Sequence, residues 1–349
     1  MKRNYYLDLA AGGLRMPVGT HLILHEHDQV KEILADGQKL GRILEEAARR
    51  FHTPMAIPLM NLTLEKTALL FADNVPAEKI DSYHFSEPPS GRYDIALTPE
   101  MMVTCDALRY IAQKTDLLPV GMAIGPFSLM TKLVADPISP VFLAGTGATA
   151  EEEVEIAVVE KTLELAQKVI RIYLEAQINA GAKAVFLCEP AANKVYFSPK
   201  QLEEGYEVFD RYVMEPNRRN REFLAAHDVD LIFHDCGELT DEMVRRFGTL
   251  DPAILSLGSS RKLWEDARLV PKTTVLYGNL PSKHFYSDTY LSERKVVDMA
   301  RELTDKMRAT GHPFILGSEC DVLSVPNCEA SIWNKVNAFM ECHCGGRPN

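Results

Sequence analysis

The chain has 349 residues, 46% of them hydrophobic and 25% charged, with a formal net charge of -11. This is the composition of a soluble globular protein with enough apolar side chains for a large core. Its acidic balance argues against nucleic acid or an anionic membrane as a partner, since both are held through basic patches.

No apolar run approaches the roughly 18 residues of a membrane span, and the first residues lead into no signal-peptide core, so a cytoplasmic location is expected. Eight short apolar runs, rich in Val, Ile, Leu and Phe and bounded by Pro, Gly or Asn, mark strands at residues 17–24, 54–60, 119–124, 184–188, 230–233, 253–257, 273–277 and 313–316. Continuous apolar runs of this length read as strands covered on both faces, hence a parallel sheet. Helical patterns lie between most of them. Residues 30–51 carry apolar positions at steps of three and four, with Gly37 as a weak point. Residues 151–178 form a long amphipathic helix whose acidic first turn suits the helix dipole, and 200–226 and 291–310 continue the pattern. A last helix falls near 331–340. Two stretches are irregular: 73–94 is an inserted excursion after the second strand, and 135–150 is a Pro- and Gly-rich loop. Either would serve as a lid. Eight strands separated by helices predict a (β/α)8 TIM barrel, one domain over residues 1–349, in preference to an open doubly wound sheet.

A barrel of this kind carries its active site at the carboxyl ends of the strands. In chain order those ends present His25, Glu26 and His27; Asn61; Gly125 and Pro126; Glu189; His234, Asp235 and Cys236; Gly258; Asn279; and Glu319, Cys320 and Asp321. His234 and Cys236 stand two apart after the apolar run Leu231 to Phe233, so they share one side of an extended backbone until Gly237 breaks the strand. A second apolar run ends in Cys320. One imidazole and two thiolates on two strand ends would make a three-ligand zinc site with an open fourth position, left to a water, a substrate or a carboxylate such as Glu189. Glu189 is also the candidate acid or base, and Glu26, Asn61 and Asn279 are candidate substrate contacts. The expected mouth holds no lysine or arginine, since Arg261 and Lys283 lie several residues into loops; this favours an uncharged substrate. Seven cysteines, an odd number without small-domain spacing, fit reduced thiols. Cys105 and Cys188 read as core, Cys328 as structural at the start of the last helix, and Cys342, His343 and Cys344 as an exposed remnant. By analogy of fold, His25, His27, His234 and Asp321 also resemble part of an amidohydrolase metal site, against which stand the lack of a histidine around Ser256 to Gly258 and of a bridging lysine at Glu189.

The order Met16 to Gly19, Gly125-Pro126, Glu189-Pro190 with Ser198-Pro199, His234-x-Cys236-Gly237, Gly278-Asn279 and Cys320 to Val322 with Val325-Pro326 resembles the uroporphyrinogen decarboxylase superfamily. Within it the chain is similar to the zinc-dependent branch of methylcobamide:coenzyme M methyltransferases and first methyltransferases of corrinoid-dependent O-demethylases. The likeness runs from about residue 16 to about residue 339. It implies zinc held by His234, Cys236 and Cys320, a corrinoid carried by a partner protein, and a small-molecule methyl donor or acceptor. Donation from an aromatic methyl ether to cobalt is the expected direction, and transfer from methyl-cobalt to a thiol such as coenzyme M is the alternative; a barrel that only binds the corrinoid protein is a further one. Uroporphyrinogen decarboxylases grip substrate carboxylates with arginines near the first strand, where this chain has His25, Glu26 and His27, so decarboxylation is not expected. Residues 73–94 also depart from the methyltransferase pattern.

Overall fold

A computed structural model of the protein describes residues 3–342. Its eight strands are β1 Arg15–Val18, β2 Met55–Ala56, β3 Leu118–Ile124, β4 Ala184–Cys188, β5 Asp230–Asp235, β6 Ile254–Leu257, β7 Val275–Leu280 and β8 Phe314–Asp321. Each pairs in parallel with its neighbours, in the order β1-β8-β7-β6-β5-β4-β3-β2, and helices flank the curled sheet. Side chains bridge β1 to the β2 segment: Thr53 Oγ1 donates to Met16 Sδ at 3.1 Å, and Thr20 Oγ1 donates to the Ile57 carbonyl at 2.5 Å. This is the expected (β/α)8 TIM-barrel fold.

Burial on both faces explains why the strands read as unbroken apolar runs. Along β4, Ala184, Phe186 and Cys188 join an inner cluster with Met122, Ile232 and Tyr277, while Val185 and Leu187 join the outer cluster beneath the helices. Alternate residues therefore serve two cores, and no position is left for a polar side chain. At the amino end, the helix Asn4–Ala11, which sequence patterning missed, closes the structure. Tyr6 Oη donates to Asp230 Oδ2 at 3.0 Å, and the Arg3 guanidinium donates to the carbonyls of Pro252 and Thr273.

The first expected strand, 17–24, is corrected. β1 stops at Val18, and Thr20–Leu24 is a helical turn with Leu22, Ile23 and Leu24 buried. The register with β8 already shifts between Met16 and Val18, because Pro17 offers no N–H to the ladder. A short apolar run fits a buried turn as well as a strand. Other expected elements also divide. Residues 30–51 hold two helices, Val30–Leu34 and Gly37–Arg50, separated where Asp36 Oδ1 accepts from the backbone N–H of Gln38 and Lys39 at 2.8 and 3.0 Å. Gly37 then starts a close crossing, since a Cβ there would lie 2.3 Å from Asp106 Cβ. The helix expected at 200–226 divides into Pro199–Glu204 and an unbroken helical run from Glu207 to Ala226, which passes through a π-helical turn at Asp210–Met214 into the helix Glu215–Ala226. The 135–150 stretch, expected to lack structure, contains the helix Ile138–Gly145. Within 73–94 a short 3-10 turn at Ala77–Lys79 is followed by a bridge of Phe85 to Val134, with Phe85 N donating to the Leu133 carbonyl at 2.8 Å. Cys342 is buried, contrary to the exposed remnant expected, and His343 and Cys344 lie outside the described residues. No helix among the described residues is long and apolar enough to cross a membrane.

Candidate metal centre

His234 occupies β5 directly opposite Ser256 of β6, and its Nδ1 lies 2.8 Å from Ser256 Oγ. The ring packs 5.4 Å from that of Phe186 and is 1% exposed. Its Nε2 is buried and has no hydrogen-bond partner among the described residues. The backbone turns just beyond, where Gly237 N donates to Asp235 Oδ1 at 2.7 Å, and this sets Cys236 at the lip of the strand. Gly258 packs beneath Cys236 so tightly that a Cβ would come within 2.7 Å of the Cys236 carbonyl oxygen. From β8, Cys320 brings its Sγ beside Met60 Sδ at 3.7 Å, and its carbonyl accepts from Ser282 Oγ at 3.1 Å. The ligand atoms of His234, Cys236 and Cys320 all lie within 4.8 Å of one another.

These residues fit a zinc ion. An imidazole nitrogen and two thiols are a zinc donor set, and a buried imidazole nitrogen without a partner is a donor waiting for an acceptor or a metal. The tautomer that suits a metal carries its proton on Nδ1, donated to Ser256 Oγ, which leaves the Nε2 lone pair facing the thiols. The two thiols are shifted in opposite directions. Hydrogen bonding from Cys320, helped by His234 and Lys283, pulls the Cys236 thiol down, while the same contact with Cys236, together with burial, pushes Cys320 up.

Lys283 corrects the expectation of a mouth without cations. It follows β7 on the turn Ser282–His284. Partial burial works against its ammonium, but Cys236, Glu319 and Cys320 outweigh that and raise its pKa. The sequence signal was present, but Gly278 and Asn279 read as the end of β7, which in fact runs to Leu280 and carries Lys283 to the strand end. Acids surround the same spot. Burial pushes Asp321 up to about 7 against backbone donors at Met60 and Val322, and its Oδ1 has no partner. Burial also holds Asp235 well above the ordinary carboxylate range, with Oδ2 unpartnered. Glu319 Oε2 accepts from Ser259 N at 2.9 Å.

The other candidate residues have local partners. Glu189 is fully buried, and its carboxylate accepts from Phe127 N at 3.0 Å, Ser128 N at 2.8 Å and Asn217 Nδ2 at 2.8 Å. Gly125 makes room for it, since a Cβ would lie 2.1 Å from Glu189 Cδ. Burial raises its pKa while those donors oppose the rise. Asn279 donates to the carbonyls of Gly258 and Arg261 at 2.7 and 2.9 Å and so fastens the loop after β6. Asn61 Oδ1 accepts from Thr63 N and Oγ1 ahead of the helix Leu64–Ala72. Glu26 is exposed, follows a helical turn where a strand end was expected, and pairs with Arg50. His27 Nε2 meets Glu46 at 3.0 Å, and His25 stacks on His21 with ring centroids 4.2 Å apart. Neither histidine joins the metal-capable group, so the first-strand ligands of an amidohydrolase site are not brought in. Cys105 and Cys188 are buried as expected, and Cys328 precedes the helix Glu329–Glu341.

An eight-stranded parallel barrel with a soft-donor cluster at the carboxyl ends of β5 and β8 defines the class. The family described as uroporphyrinogen decarboxylase (URO-D) matches residues 27–341, and the chain belongs to that family. Among solved structures, a methyltransferase from Methanosarcina mazei is similar at a TM-score of 0.65 over 98% of this chain and 99% of its own, with 15% sequence identity, a likeness of fold. No curated protein matches the chain in sequence.

Proposed function

We propose that this chain is a zinc-dependent methyltransferase that moves a methyl group from a small neutral donor, an aromatic methyl ether above all, to the cobalt of a corrinoid held by a separate cytoplasmic protein. The observation that carries it is the buried, unpartnered Nε2 of His234 beside the thiols of Cys236 and Cys320. Zinc held there would act as a Lewis acid on a donor oxygen, or would keep a thiol as thiolate. The chain's own residues supply the rest. Ser256 fixes the ring of His234, and Gly258 fixes the backbone of Cys236. Lys283 stands beside Cys236 and Cys320 with one positive charge, and the nearby Glu319 offsets it, so the mouth is not net cationic and a neutral donor suits it. On this reading substrate contact passes from Asn61, Asn279 and Glu26, which are engaged elsewhere, to Lys283, Glu319 and Asp321. Glu189 becomes a positioning residue that ties the end of β4 to the helix Pro126–Thr131.

Lys283 favours a second direction, transfer from methyl-cobalt to a thiol that carries an acidic group, such as coenzyme M. Decarboxylation has less to stand on, because Arg15, the arginine of the first strand, spends its guanidinium on the carbonyls of Phe339 and Met340. The test mixes zinc-loaded protein with a reduced corrinoid protein and a panel of methoxylated aromatics, and follows methyl-cobalt by absorbance. Methylation with at least one ether is expected. Demethylation of methyl-cobalt by an acidic thiol, with every ether inert, reverses the direction, and no methyl transfer either way refutes the function.

A further inference from the structure

A cavity of about 270 Å³ is lined by Lys66, Lys132, Asp81, His84, Thr63 and Thr67, none of them a candidate metal residue. Its walls are the first turn of the helix Leu64–Ala72, the excursion 73–94 and the residue after the helix Pro126–Thr131. Lys66 is only 7% exposed, and its ammonium donates to the Asp81 carbonyl oxygen at 3.1 Å. Neither Lys66 nor Lys132 forms an ion pair with a carboxylate among the described residues.

This placement is costly in two ways. A buried ammonium loses hydration that one carbonyl oxygen does not replace. The first turn of a helix is its positive end and disfavours a cation. Burial has the largest effect on Lys66 and lowers its pKa, the Asp81 carboxylate comes next and raises it, and the like charge of Lys132 lowers it by less. The hydroxyls are already used: Thr63 Oγ1 donates to Asn61 Oδ1 at 2.7 Å, and Thr67 Oγ1 donates to the Thr63 carbonyl at 3.1 Å. Anchoring the excursion explains one N–H of Lys66 and nothing of Lys132. What remains along this polar space is the rest of the Lys66 ammonium and the exposed side chain of Lys132, with the exposed imidazole of His84 also on the lining.

We infer that this cavity is an anion-binding site, which takes a phosphate or carboxylate group between Lys66 and Lys132. One oxyanion there satisfies the free N–H groups of both lysines through charge-assisted hydrogen bonds and cancels their repulsion. The space admits such a group together with part of the molecule that carries it. The site uses none of the candidate zinc residues and stands whatever their function.

The test is calorimetric titration of the full-length protein with inorganic phosphate and, separately, with acetate, at constant ionic strength set by chloride. Saturable binding of about one anion per chain is expected. Binding of phosphate alone assigns a phosphate group, and binding of acetate alone assigns a carboxylate. Lys132→Glu should weaken binding at least about tenfold by placing a negative charge against the anion. Its melting temperature without added anion should not fall below wild type, because the new carboxylate faces Lys66. Should that variant fold poorly, Lys132→Gln takes its place with a smaller weakening expected, roughly threefold or more. Neither anion binding above the chloride control, or undiminished binding in the folded variant, overturns the site.

Discussion

Two neighbouring strands end in buried ionisable side chains that look alike in sequence and differ in what surrounds them. At the end of β4, Glu189 has both oxygens filled by three donors. On β5, His234 has one nitrogen filled by Ser256 and the other left without a partner. A saturated buried group is finished business for the fold, whereas an unsaturated one beside two thiols points to something outside the chain. The same contrast holds between Glu189 and Glu65, a carboxylate behind β3 whose Oε1 accepts from Ile124 N at 3.1 Å while Oε2 has no partner.

The largest effect should come from the unsaturated side. Cys236→Ala and Cys320→Ala should each reduce metal from about one zinc per chain to near zero and abolish methyl transfer, with melting curves still cooperative because the barrel core does not include them. Metal analysis of the purified variants checks this, and full zinc in both would put the ligands elsewhere.

Glu65 gives the next largest effect. Burial raises its pKa from 4.5 to about 8. Between those values the unfolded chain has released the proton that the folded protein keeps, so Glu65 lowers stability as pH rises from about 4.5 to about 8, by at most roughly 1.4 kcal/mol per unit. Urea unfolding at pH 5 and pH 8 should show Glu65→Gln gaining on wild type across that interval. A constant gap would mean that Glu65 has found an internal partner.

Smaller effects separate orientation from support. Ser256→Ala frees the ring of His234 and should weaken zinc affinity by about 10- to 100-fold, read by competition with a chelator, with little change in stability. Glu189→Gln should do the reverse, costing about 1–2 kcal/mol in urea unfolding because an amide N–H would meet the backbone N–H of Phe127 or Ser128, and leaving zinc in place. If Glu189→Gln instead loses metal at unchanged stability, the contrast between the two strand ends collapses.

The sequence by itself determined the barrel and the cluster of His234, Cys236 and Cys320. Strands buried on both faces must be apolar throughout, as β4 is at the expected residues 184–188, and a His and a Cys two apart where an apolar run ends stay close enough to bind one ion. Tertiary structure alone decided the rest. β8 continues past the expected Leu316 through Gly317 to Asp321 because the missing side chain of Gly317 lets the Tyr277 ring lie across it, a contact between two strands. The roles of Glu189 and Asn279 depended on donors and acceptors elsewhere in the chain, and Lys283 reached the mouth through three more residues of β7. Burial and periodicity are properties of a segment and can be read along it, but whether a buried polar atom already has a partner is a property of the whole fold.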